Sequence, residues 1–244
     1  MHKLKSPVAA EAQKATAEVL LDTAERLFAS DGIENVSIRQ IVMTSGHGNL
    51  SGAHYHFGSR EALIRMLLER RMQVTDKLRH EALDRLVAEG RETDLRALVE
   101  GALRVLEHVV RAFPWGRDYV LVVAQALFSP RIRLLTTLNT EAVTGLERAT
   151  AMTRAALPHL PAARVNQRMI MFRHYGTYEI ARWLQENELN DATSDKFEDL
   201  ILHLIEYSVA GLSAPTHLQM GTPPAMPTTR GAESKKASAA QTVA

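Results

Sequence analysis

The chain contains no cysteine. Disulfides, thiolate metal ligands and a cysteine nucleophile are therefore excluded. No stretch approaches the ~18 consecutive apolar residues of a membrane-spanning helix. The basic start Met1-His2-Lys3-Leu4-Lys5 is not followed by the apolar segment of an export leader, so a cytoplasmic location is expected and no membrane partner. Charge of one sign is also lacking, with 29 Lys and Arg against 28 Asp and Glu and a net +1. Any affinity for nucleic acid must then come from local placement of basic groups. Aromatic residues make up only 5%. Strand-like alternation and internal repeats are absent.

What is present is apolar residue at helical spacing. At 244 residues and 45% hydrophobic, the chain can bury one large core or two small ones. Residues 1–14, broken by Pro7, read as a flexible arm. The tail 213–244 is rich in Pro, Ser, Thr and Ala, with too little apolar surface to offset ordering entropy, and reads as disordered. Everything between reads as helix, with 15–62 as a DNA-binding head and 63–212 as a second helical domain. The first helix is expected from Ala15 to Ser30, carrying Leu20, Leu21, Ala24, Leu27 and Phe28 on one stripe. Gly32 suits the left-handed position that ends it.

Ser37 and Gln40 then fit a capping box, the hydroxyl accepting a backbone N–H and the amide reaching back. Ile38, Ile41 and Val42 face inward, and a turn follows at Gly46. A third helix is expected over about 50–56, with Phe57 returning to the core. Ser59 caps a long helix to about Ala88. Further helices are expected at 94–111, 118–128, 130–156, 162–188 and 195–212, with prolines at the breaks, where a missing N–H costs least.

Two short helices joined at a glycine turn, with a capped long helix behind, have the layout of a helix-turn-helix head. The run Tyr55-His56-Phe57-Gly58-Ser59-Arg60-Glu61-Ala62-Leu63, following Ser37-Ile38-Arg39-Gln40-Ile41 and the Gly46 turn, resembles the TetR/AcrR family of transcriptional regulators. The turn holds one residue more than the common pattern, which leaves Asn49, Leu50 or Ser51 as the start of the recognition helix. The resemblance implies an all-α fold, a three-helix head on a helical effector-binding and dimerisation domain. It also implies double-stranded DNA with a palindromic operator as partner, a homodimer, and repression relieved by a small, hydrophobic effector. No cofactor and no enzymatic activity are expected.

DNA contacts are assigned to Ser37, Arg39, Asn49, Ser51, Gly52, His54, Tyr55, His56 and Arg60. Ser51 and His54 can read base edges, and Gly52 lets the helix approach the groove. Tyr55, His56 and Arg60 match positions that hold the phosphate backbone or support the helix. His54 and His56 point to different faces of a helix, so a metal pair is not expected. Arg65, Arg70 and Arg71 read as a solvated face.

In the second region, His108, Trp115, Tyr119, Gln125, Phe128, His174 and Tyr178 are candidate effector contacts, Asn139 being a further polar candidate. The scarcity of aromatics and of net charge favours an aliphatic or acyl ligand over a planar cation. Phe172, Tyr175, Trp183, Leu200, Leu204 and Ile205 are candidate dimer contacts on the last two helices. The same faces would equally serve as protomer core. Two alternatives remain open: a helix-turn-helix regulator without a small effector, and an all-helical enzyme. The second would require residues such as His108, His174 and Glu179 to meet around one cleft.

Overall fold

In the computed structural model the described residues are 7–46, 57–129, 132, 143–190 and 193–216, with side chains from Ala15 onward. They form eight helices and no strand: α1 (Pro7–Asp31), α2 (Ile38–Ser45), α3 (Arg60–Ala88), α4 (Leu95–Ala112), α5 (Gly116–Phe128), α6 (Thr144–Ala156), α7 (Ala162–Glu186) and α8 (Ser194–Ser213).

The helix ends follow from capping chemistry. Ser37, Ser59 and Asp94 each accept a backbone N–H of the first turn, from Gln40, Ala62 and Ala97, which satisfies donors the helix itself leaves open. Gly32 and Gly46 take positive φ, at 95° and 65°, where a side chain would strain the turn. Two expectations change. Helix α1 starts at Pro7 rather than Ala15, because proline needs no partner N–H in a first turn. The Ser37–Gln40 capping box closes on one side only: Gln40 Nε2 donates to Asp31 Oδ2 at 3.2 Å instead of returning to the Ser37 backbone. The helix expected at 130–156 is seen from Thr144, most of 130–142 lying outside the described residues.

Head and body share one continuous core. Leu20, Leu21, Ala24 and Phe28 of α1 pack with Ile41, Phe57, Leu63 and Leu67, and the same cluster runs on through Leu103, Val120, Ile180 and Ile201. Helix α1 packs on α5, α3 on α4 and α6, α5 on α7, and α4 on α8. A smaller cluster of Leu83, Leu86, Leu98 and Ala149 closes the far end of α3. Asp76 on α3 anchors the start of α6. It is nearly buried and accepts from Gly145 N, Thr144 Oγ1 and Arg79 Nη1 at 2.8–3.1 Å.

Candidate functional site

In the head, Ser37 and Arg39 are exposed at the first turn of α2, where free backbone donors favour an anion. Asn49, Ser51, Gly52, His54, Tyr55 and His56, and with them the third helix, lie outside the described residues. Phe57 is buried, as expected. Arg60 turns inward: its Nε donates to Val36 O at 2.9 Å, and its guanidinium lies over the Phe28 ring, 5.7 Å from the centroid. It therefore braces the loop before α2 rather than pointing at phosphate.

Arg65 is exposed, but Arg70 and Arg71 are not a solvated face. Arg70 pairs with Glu18 and with Asp22 (2.6 Å), and Arg71 with Asp22 (2.9 Å) and Glu25 (2.5 Å). Sequence spacing could not show this, because the acidic partners sit on α1, more than 40 residues away. Glu25 is only 1% exposed. Burial pushes its carboxyl above the ordinary value, and Arg71 pulls it back. Arg71 also lies over Trp115, 4.4 Å from the ring centroid, so one side chain joins α1, α3 and the corner before α5.

Three further bonds fasten head to body. Gln125 on α5 donates from Nε2 to Phe28 O (3.0 Å) and accepts from Ile33 N at Oε1 (2.6 Å). It thereby takes up backbone groups at the end of α1. Next to it, Ser129 bonds Glu34. Gln125 thus latches the body to the head and lines neither the inner cavity nor the outer groove of the body, a role hidden from sequence because its partners are main-chain atoms.

The inner cavity of the body has a volume of about 90 Å³ and lies among α3, α4, α5, α6 and α7. Tyr119, Val123 and Leu127 line it from α5, Leu103 and Leu106 from α4, and Phe172, Arg173, His174, Gly176 and Thr177 from α7. Burial and the neighbouring Arg173 charge push the His174 imidazole below its ordinary value, so it is neutral at pH 7. Burial pushes the Tyr119 phenol up. A second, outer groove of about 430 Å³ shares Phe172 and His174 and adds Phe128, Met171, Tyr175, Tyr178 and Tyr207. Of the sequence candidates, Tyr119 and His174 therefore meet at the cavity, while Phe128 and Tyr178 line the outer groove, edge to face with centroids 6.0 Å apart. Trp115 stacks on Phe113 at 4.7 Å and lines neither space. His108 is exposed on a separate surface with Arg85 and Arg104. Asn139 lies outside the described residues.

The dimer candidates divide in the same way. Phe172, Leu204 and Ile205 are buried in the protomer's own core, Trp183 stacks on Phe197 at 4.8 Å, and Leu200 is half-buried. Tyr175 alone of the six is exposed. It joins Tyr207, Met171 and Tyr178 on an apolar outer face of α7 and α8. Both helices are apolar on more than one side, so periodicity could not separate core from surface.

His108, His174 and Glu179 do not converge: His108 and His174 line different spaces, and Glu179 pairs with Arg182 at 2.9 Å. Among the described residues no group of three His, Asp or Glu could hold a metal ion, and no helix is long and apolar enough to cross a membrane.

Among the described residues a capped α2 is held to an all-helical body by the half-buried side chains of Gln125 and Ser129. Residues 96–211 match the family model described as the tetracyclin repressor-like C-terminal domain. Over these residues the chain is similar to the C-terminal domains of TetR-family transcriptional regulators. A comparison with curated proteins finds no match.

Proposed function

We propose that the protein is a homodimeric cytoplasmic repressor that binds a palindromic operator and is released by a small apolar ligand held in the body cavity. The observation that carries this reading is the double duty of α5. One side of it lines the cavity with Tyr119, Val123 and Leu127. The other side holds the end of α1 through Gln125. A ligand that binds better when α5 is displaced shifts the head by the same free energy, since the coupling between two sites is reciprocal. Ser37 and Arg39, with the side chains assigned between Asn49 and His56, make the DNA contacts. Arg60 supports them by bracing the loop before α2.

A palindrome requires two heads about 34–36 Å apart on a two-fold body. The exposed face of Met171, Tyr175, Tyr178 and Tyr207 is the surface proposed to meet its mate. Substituting Tyr207→Asp, which is 64% exposed and so free to change without unfolding the protomer, should convert dimer to monomer in analytical ultracentrifugation. Affinity for a full palindrome should fall on the order of 100-fold, to that of a half-site. A Tyr207→Asp protein that stays dimeric and keeps full affinity would show that this face is not the dimer contact.

A further inference from the structure

We infer that the ligand of the inner cavity is an amphiphilic anion, its apolar chain lying among Leu103, Leu106 and Phe172 and its carboxylate received by Arg173. This rests on the effector reading above and specifies its chemistry. Two guanidinium groups, Arg79 and Arg173, reach this largely apolar space. Arg79 is neutralised by Asp76 at 2.8 Å. Arg173 is not neutralised: its bond is to the neutral Thr150 hydroxyl at 3.2 Å, and among the described residues no carboxylate lies within ion-pair distance of it. Burial and the Arg79 charge both push its guanidinium below the ordinary value, yet arginine remains charged at any working pH. His174 beside it is neutral, so the cavity wall carries one uncompensated positive charge.

A half-buried cation without a counter-ion is costly. A carboxylate arriving with the ligand would remove that cost through charge-assisted hydrogen bonds. Arg173 also stands at a boundary. It lines a groove of about 500 Å³ between α6 and α7 together with Thr150, Arg154 and Asn166. Glu147 in that groove is exposed and does not pair with Arg173. The head group can therefore stay at the wetter mouth while the chain enters the dry interior. The inner volume of about 90 Å³ is small beside the ~300–1,000 Å³ of a preformed ligand pocket, so the alkyl chain enters as the walls move apart, a smaller opening than a fused-ring body would need.

Octanoate, octanol and octyltrimethylammonium differ in head group at equal chain length and are the probes. In calorimetric titration of the full chain, octanoate should bind about tenfold or more tighter than octanol, with the ammonium compound weaker still. Arg173→Gln should lower octanoate affinity about tenfold or more and leave octanol unchanged, and Arg173→Lys should keep the preference. Circular dichroism and thermal midpoint check that both variants fold. Equal binding of octanoate and octanol, a preference that survives Arg173→Gln, or no binding of any probe would overturn the assignment. Operator binding measured in parallel separates the two readings. Selective octanoate binding with unchanged operator affinity would uphold the anion site and sink the effector role.

Discussion

Arg71→Met is expected to destabilise the protein by about 3–5 kcal/mol, because it leaves the buried Glu25 carboxylate without its closest counter-charge. At ~2–4 °C per kcal/mol for a domain of this size, the thermal midpoint should fall on the order of 10 °C. Arg70 cannot take over, since its nearest approach to Glu25 is 4.0 Å and it is already engaged by Glu18 and Asp22. The loss should depend on pH in a definite sense. Burial raises the folded-state pKa of Glu25 above its ordinary 4.5, and Arg71 opposes that rise. Without Arg71 the folded value climbs further. A raised folded-state pKa contributes stability below the unfolded value, and that stability is lost as pH rises through the folded one. The deficit relative to wild type should therefore be largest near pH 7 and shrink toward pH 4.5, where Glu25 is protonated and needs no partner. Replacing both residues, Glu25→Leu with Arg71→Met, should recover most of the loss, as buried pairs replaced together often do. Thermal unfolding of the three variants at two pH values checks this, and a pH-independent deficit would contradict it.

Gly116→Ala is expected to cost about 3 kcal/mol, the upper range for an overpacked site. A methyl group built there would lie 1.9 Å from Val109 O and 2.6 Å from Val109 C. Those are main-chain atoms of α4, so no side chain can swing aside. The α4–α5 corner, closed by Gly116 N donating to Phe113 O at 2.9 Å, must open. Helix α5 starts at this corner, and the Gln125 latch lies further along it. The same variant should therefore weaken operator binding even at temperatures where it is fully folded. A folded Gly116→Ala protein with wild-type operator affinity would show that the corner does not position the head.

The helical architecture was legible in the sequence because its signals are local. Ser37, Ser59 and Asp94 announce helix starts by their own hydroxyls and carboxylate, and Gly46 marks a turn that needs positive φ. The breaks at Pro114 and Pro158 to Pro161 follow from a missing donor. The site was less legible because its geometry is non-local. Gln125 looked like a pocket group, yet its amide is used by Phe28 and Ile33 of the head. Arg70 and Arg71 looked solvated, yet their partners are on α1. On α7, Phe172 and Tyr175 are neighbours at helical spacing, and one faces the core while the other faces out. Arg173 carried no sequence signal: what distinguishes it is that no described residue offers it a counter-charge, visible only once α3, α6 and α7 are assembled.

A two-fold dimer that reads one specific DNA sequence should reveal it when bound fragments are selected from a random duplex pool with the full protein at moderate salt. The expected result is enrichment of a single palindrome with half-sites about one helical turn apart, its affinity falling as salt rises because phosphate contacts release counter-ions. Enrichment of no sequence by folded, ligand-free protein across a range of salt concentrations would contradict it.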